Sequence, residues 1–255
     1  MTWVKVRVNC SGVRSQRPAN VAPDSETLLG TAGTAAEGRQ GSHLFILSGQ
    51  SNMVGLDPEQ TFAPMVKEKL GADRVIVVKE ALGGAHSYFF FKGWTSAQGV
   101  KPLNDAGLVY DRVLPKIREA IGGKTIASIT FIWMQGEADA ARAGDGELYG
   151  RSLQGIMEQL TEDLGRKDIH LVIGRISDFG MHAPKYPDWN AVREAQVAFA
   201  EKRPDSTWVD TDDLNGPSNG LHYEPEGYRE LGTRFAKAAL ALLARPKEPA
   251  QKKRK

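Results

Sequence analysis

The chain has 255 residues, 41% of them hydrophobic, and a formal charge of +2, which suits one sizeable core and an α/β domain of about 200 residues. Arg245 to Lys255 (RPKEPAQKKRK) carries +5 and leaves −3 on the rest, and so mildly acidic a body gives no support for nucleic-acid binding as the main activity. The single cysteine, Cys10, excludes an internal disulfide and a cysteine metal cluster. No apolar run is long enough to span a bilayer. The N-terminus (MTWVKVRVNC) lacks the apolar core of a secretory signal; the sequence points to the cytoplasm, and to the periplasm or the exterior if a signal is missing.

Residues 1–41 read as a flexible leader. Trp3 to Val8 alternates as a short edge strand does, and Ser11 to Gly41 is dominated by small and polar residues. From His43 onward strands and helices alternate. Apolar runs at 43–48, 74–79, 126–134, 169–176 and 206–210 predict five strands. A helical pattern at 106–121 contains Pro115 and should start late or kink there. Tyr149, Leu153, Ile156, Leu160 and Leu164 recur at helical spacing, as do Trp189, Val192 and Phe199. The last helix carries Leu231, Phe235, Ala239 and Leu242 on one face, with Pro225 as its first residue. Continuous apolar strands separated by helices predict an α/β fold: a three-layer α/β/α sandwich around a central, mostly parallel five-stranded sheet with right-handed crossovers. The domain spans 42–244, and 245–255 is a disordered basic tail.

In such sheets ligand sites form beyond the carboxyl ends of the strands. That rule singles out Ser51 after the first strand (LFILSGQSNMVG), Gly83 and Gly84 after the second, Gln135 to Asp139 after the third, and the loop 211–224 with His222 after the fifth. Each residue has an ordinary reading: a helix-capping serine, a glycine turn, an amide satisfying nearby backbone, a surface histidine, and at Asn52 a turn-former. Together they supply what acyl transfer from an ester needs, namely a nucleophile, a base and donors for a tetrahedral intermediate. Phe89, Phe90, Phe91 and Trp94 read either as core or as an aromatic wall for a sugar. No metal site is expected of His43, His86, His170 or His182.

GQSNM at 49–53, ALGGAHSYFFFKGW at 81–94, WMQGEADA at 133–140 and GLHYEPEGYRELGTRFA at 220–236 together closely resemble the SGNH/GDSL hydrolase superfamily. Within it they resemble the sialate O-acetylesterase branch, with its plant-type carbohydrate esterases and acetylxylan esterases, over about residues 43–244. The resemblance implies a flavodoxin-like fold and a serine esterase that removes O-acetyl groups from a sugar or polysaccharide through an acyl-enzyme, with no cofactor and no metal. It makes Ser51 the nucleophile and His222 the general base. Oxyanion donors would be the N–H of Ser51, the N–H of Gly83 or Gly84, and the side chain of Gln135. Asn52, Glu137 and Asp139 would support them. Neither nucleic acid nor membrane is implied as a main partner, and oligomeric state is not addressed.

One position departs from the family's pattern, which has Asp three residues before the histidine: this chain has Asn219. An uncharged carboxamide can accept a hydrogen bond but does not stabilise the imidazolium formed during attack. Asp210, Asp212, Asp213 and Glu224 are the nearby acids that could serve instead. The other readings are a Ser–His dyad, a disabled enzyme and a carbohydrate-binding pseudoenzyme.

Overall fold

The computed structural model describes residues 40–102 and 104–246, all within the unit Gly33–Lys255. The leader with its Trp3 to Val8 strand, and most of the basic tail, lie outside the described residues. Five strands form one sheet: β1 (Ser42–Gly49), β2 (Val75–Ala81), β3 (Ile126–Met134), β4 (Ile169–Gly174) and β5 (Ser206–Val209). Their order is β2-β1-β3-β4-β5, and every pairing is parallel. All residues of β1 and all but the first of β3 are buried, as expected for central strands covered on both faces.

The connections run through α1 (Ser51–Gly55), α2 (Phe62–Leu70), α3 (Leu108–Ile121), α4 (Glu137–Ala140), α5 (Asp145–Leu164), α6 (Trp189–Glu201) and α7 (Pro225–Ala244). The step from β1 to β2 runs one way across the sheet and the later steps run the other way. Right-handed crossovers therefore place α2 on one face and α3, α5 and α6 on the other. α7 returns to pack on α2, while α5 packs on α6. The reversal falls between β1 and β3, and there a crevice opens beyond the strand ends.

Apart from β3, the strand ends differ from the sequence pattern by one or two residues. The fourth strand ends at Gly174 because the Ile176 N–H turns away to donate to Gln196 Oε1 on α6 at 2.9 Å. α3 starts at Leu108 and runs unbroken through Pro115. Pro115 lies on the exposed side of α3 and leaves the carbonyl of Asp111, also exposed, to solvent, while Val109, Val113, Leu114 and Ile117 hold the helix to the core. α7 begins at Pro225, whose missing N–H costs nothing in a first turn.

β1 and β3 approach closely at Gly49, which pairs with Met134. Gly49 has φ +152°, and a Cβ there would lie 1.9 Å from the Met134 carbonyl oxygen. Backbone meets backbone, so no side chain can give way. Gly49→Ala should lower unfolding stability by roughly 3 kcal/mol or more, read as a drop in the urea midpoint; an unchanged midpoint would show that the strand ends can separate freely.

Candidate active site

Beyond Gly49 the chain is held by Gln50. Its backbone N–H donates to Met134 O at 2.9 Å, and its side-chain Oε1 accepts from Ala138 N at 3.1 Å, Gly136 N at 3.3 Å and Gln135 Nε2 at 3.2 Å. One amide oxygen thus accepts from two backbone N–H groups at the start of α4. Ser51 follows as the first residue of α1, where backbone N–H groups have no acceptor within the helix.

Asn52 is buried and joins three parts of the edge. Its Nδ2 donates to Glu137 Oε1 at 2.7 Å and to Leu221 O at 3.1 Å. Its Oδ1 accepts from Tyr223 N at 3.4 Å and from the Tyr228 hydroxyl at 3.2 Å. Leu221 and Tyr223 flank His222, so the serine turn holds the histidine loop from both sides of the imidazole.

Ser51, Gly83, Gly84, Glu137 and His222 line one cavity of about 650 Å³ at this edge. His86, Arg142, Lys185 and Tyr186 also stand on its wall. Gly84 has φ +69°, a left-handed conformation that favours glycine. A Cβ on Gly83 or Gly84 would meet nothing within 4 Å, so the backbone of this pair is bare toward the open space.

Gln135 and Asp139 stand behind that wall and do not line it. Gln135 is fully buried, and its Nε2 points to Asp139 Oδ2 at 2.6 Å, Ala85 O at 3.1 Å and Gln50 Oε1. Asp139 also accepts from the N–H and hydroxyl of Ser87 at 2.8 and 2.6 Å. Burial pushes the Asp139 carboxyl above its usual range. Glu137 is raised to about 7, first by burial, against the hydrogen bond from Asn52 that favours its ionised form. Its Oε2 has no hydrogen-bond partner.

Asn219 is exposed in the left-handed region at φ +44°, and its Oδ1 accepts from Asn215 Nδ2 at 2.8 Å. Among the described residues no hydrogen bond joins it to His222. The nearby acids are engaged elsewhere: Asp210 and Asp212 pair with Arg175, Asp212 also with Arg193, and Asp213 with Arg234. Glu224 precedes α7 and accepts from the Ser218 hydroxyl at 3.3 Å. Phe90 and Trp94 are core residues, and none of the four aromatics at 89–94 lines the cavity. Sequence reasoning passed over Gln50, Arg142, Lys185 and Tyr186. Gln50 lies inside the GQSN turn and was open to notice; the other three sit on loops that carry no spacing signal.

A parallel five-stranded sheet in this order, flanked by helices, is the fold of the SGNH/GDSL hydrolases. The solved structure of a GDSL-like lipase of Parabacteroides merdae shares it, at TM-score 0.55 and 13% identity over 81% of this chain and 99% of that one. The family model described as carbohydrate esterase, sialic acid-specific acetylesterase, matches residues 54–241, beginning just after Ser51. The chain belongs to that family and is by membership a carboxylic ester hydrolase. It is 27% identical to a probable carbohydrate esterase of Arabidopsis thaliana over 229 residues, 88% of this chain and 78% of that protein. The crystal structure of the Arabidopsis protein superposes with TM-score 0.61 at 23% identity, covering 79% of this chain and 98% of that one. A carbohydrate acetylesterase of Xanthomonas citri gives TM-score 0.54 at 16% identity over 78% of this chain and 56% of its own.

The raised Glu137 carboxyl has a consequence for stability. Its folded pKa of about 7 lies above its ordinary value of 4.5, so the folded state loses stability as pH rises from 4.5 toward 7, by about 3 kcal/mol in the limit of full burial. Glu137→Gln keeps an acceptor for Asn52 and removes the titration. Urea midpoints measured across this pH range should flatten in the variant; an identical slope in both proteins would assign the pH dependence elsewhere.

Proposed function

We propose that this chain hydrolyses O-acetyl esters of carbohydrates through an acyl-enzyme on Ser51. The observation that carries the reading is that Ser51, His222 and the bare backbone of Gly83–Gly84 face one cavity at the carboxyl edge of the sheet. His222 takes the proton of the Ser51 hydroxyl as it attacks the acetyl carbonyl. The N–H groups of Ser51 and of Gly83 or Gly84 receive the negative charge that forms on the carbonyl oxygen. The sugar alcohol leaves with the proton held by His222, and water then releases acetate by the reverse sequence.

The remaining residues act on these. Asn52 positions the His222 loop through Leu221 and Tyr223. Gln135 offers its amide to Asp139, Ala85 and Gln50, so we place it as a brace for the turn; it becomes an oxyanion donor only by giving up one of these bonds. Asn219 supplies no charge to the imidazolium, and Asp210, Asp212 and Asp213 are committed to arginines. Turnover is therefore slow for this architecture. The same two facts favour a second reading, in which the cavity still holds an acetylated sugar and catalysis has lapsed.

Hydrolysis of a chromogenic acetyl ester by the chain, by Asn219→Asp and by Ser51→Ala separates the two. The esterase reading expects Ser51→Ala to lose at least about 10³ in rate and Asn219→Asp to gain up to about 10⁴, the scale of the converse change in serine proteases. No hydrolysis by either the chain or Asn219→Asp would sink it. Retained affinity for an acetylated sugar in that case would establish the binding reading.

A further inference from the structure

Three ionisable side chains that ester hydrolysis leaves unused converge at the wall of the cavity. His86 Nδ1 stands 3.6 Å from Asp145 Oδ2 and 4.0 Å from Asp139 Oδ2, and one ligand atom from each residue lies within 4.8 Å of the others. They come from the loop after β2, from α4 and from the first turn of α5, so the fold assembles them.

Neither histidine–carboxylate separation is a hydrogen bond. His86 Nδ1 and Asp145 Oδ2 are buried atoms without any hydrogen-bond partner, and Asp145 is only 7% exposed. Buried polar atoms left unpaired are uncommon and point to a missing water or ion. Asp139 is held in orientation by Ser87 and Gln135, the kind of outer support that ligating carboxylates have. Burial also raises both carboxyls above their ordinary range, against the hydrogen bonds on Asp139 and the Arg142 charge near Asp145. Arg142 Nε approaches Asp145 Oδ2 at 3.8 Å, but its side chain is 61% exposed and is free to swing into solvent.

We propose that His86, Asp139 and Asp145 bind one divalent transition-metal ion of the zinc class. One imidazole and two carboxylates suit zinc better than magnesium or calcium, which prefer oxygen alone. Ligand atoms at bond lengths of about 2.0–2.2 Å around a tetrahedral ion lie about 3.4 Å apart. The two histidine distances, 3.6 and 4.0 Å, lie slightly above that, and the widest pair needs to close by at most about 1.4 Å. His86 lines the cavity, so coordination positions that the protein leaves empty open toward it. This site stands independently of whether Ser51 is catalytic.

Calorimetric titration of the untagged, chelator-stripped chain with zinc chloride tests it. The expected result is a single zinc per chain, with magnesium binding far more weakly. His86→Ala and the near-isosteric Asp145→Asn should each weaken zinc by at least about tenfold, with folding checked by circular dichroism. Ser51→Ala and His222→Ala should leave the affinity unchanged, which separates this site from zinc captured by the cavity's other histidine. Absence of zinc binding, equal affinity for magnesium, or affinity untouched by Asp145→Asn would overturn the proposal and leave His86 and the aspartates as a solvated ion cluster.

Discussion

The close approach of β1 to β3 at Gly49 and Met134 is the constraint on which the carboxyl edge depends. It brings the backbone of Gln50 within hydrogen-bond reach of Met134 O, and this in turn sets Gln50 Oε1 over the first N–H groups of α4. Ser51 and Glu137 then face one cavity because two neighbouring strands end together. A side chain at position 49 would force those ends apart and misalign everything that follows.

A second layer of organisation is polar. Asn52 uses both ends of its carboxamide on other segments, and the four acceptors or donors around it come from α4, the loop before α7 and α7 itself. Each bond is modest by itself; burial makes leaving any of them unmade costly. The charges divide by location. On the far side of the β5–α7 loop the aspartates meet arginines at 2.6–2.7 Å. Beside the cavity, Glu137, Asp139 and Asp145 are buried, and burial raises all three carboxyls. The loop is thus pinned by full charges, and the site holds carboxyls whose ionised form burial disfavours.

The strands were legible in the sequence because central parallel strands are apolar on both faces, as β1 and β3 are here, and Pro225 marked the start of α7 through its fixed φ and absent N–H. The segments at the carboxyl edge followed from the strand ends. What could not be read was which polar group meets which. Gln135 follows strand β3 as a site residue should, yet its amide turns inward because Asp139 lies one helical turn further on. Asn52 reads as a turn-former, and only the fold shows that its partners lie on α4, α7 and the loop between Leu221 and Tyr223. α4 has four residues, too few for any periodicity. Pro115 was expected to disturb α3, but it falls on the solvent face, where a lost bond is replaced by water.

The clasp at Asn52 also bears on how the molecule is made. Its partner Tyr228 is 176 residues away along the chain, and Glu137 is 85 away. Contacts this distant in sequence form only after much loop-closure entropy has been overcome, and folding dominated by them is slow. The histidine loop belongs to the last connection to be synthesised before α7. A nascent chain therefore carries its serine turn long before it has the histidine loop to place opposite it, and the Asn52 clasp is complete only once α7 has been made.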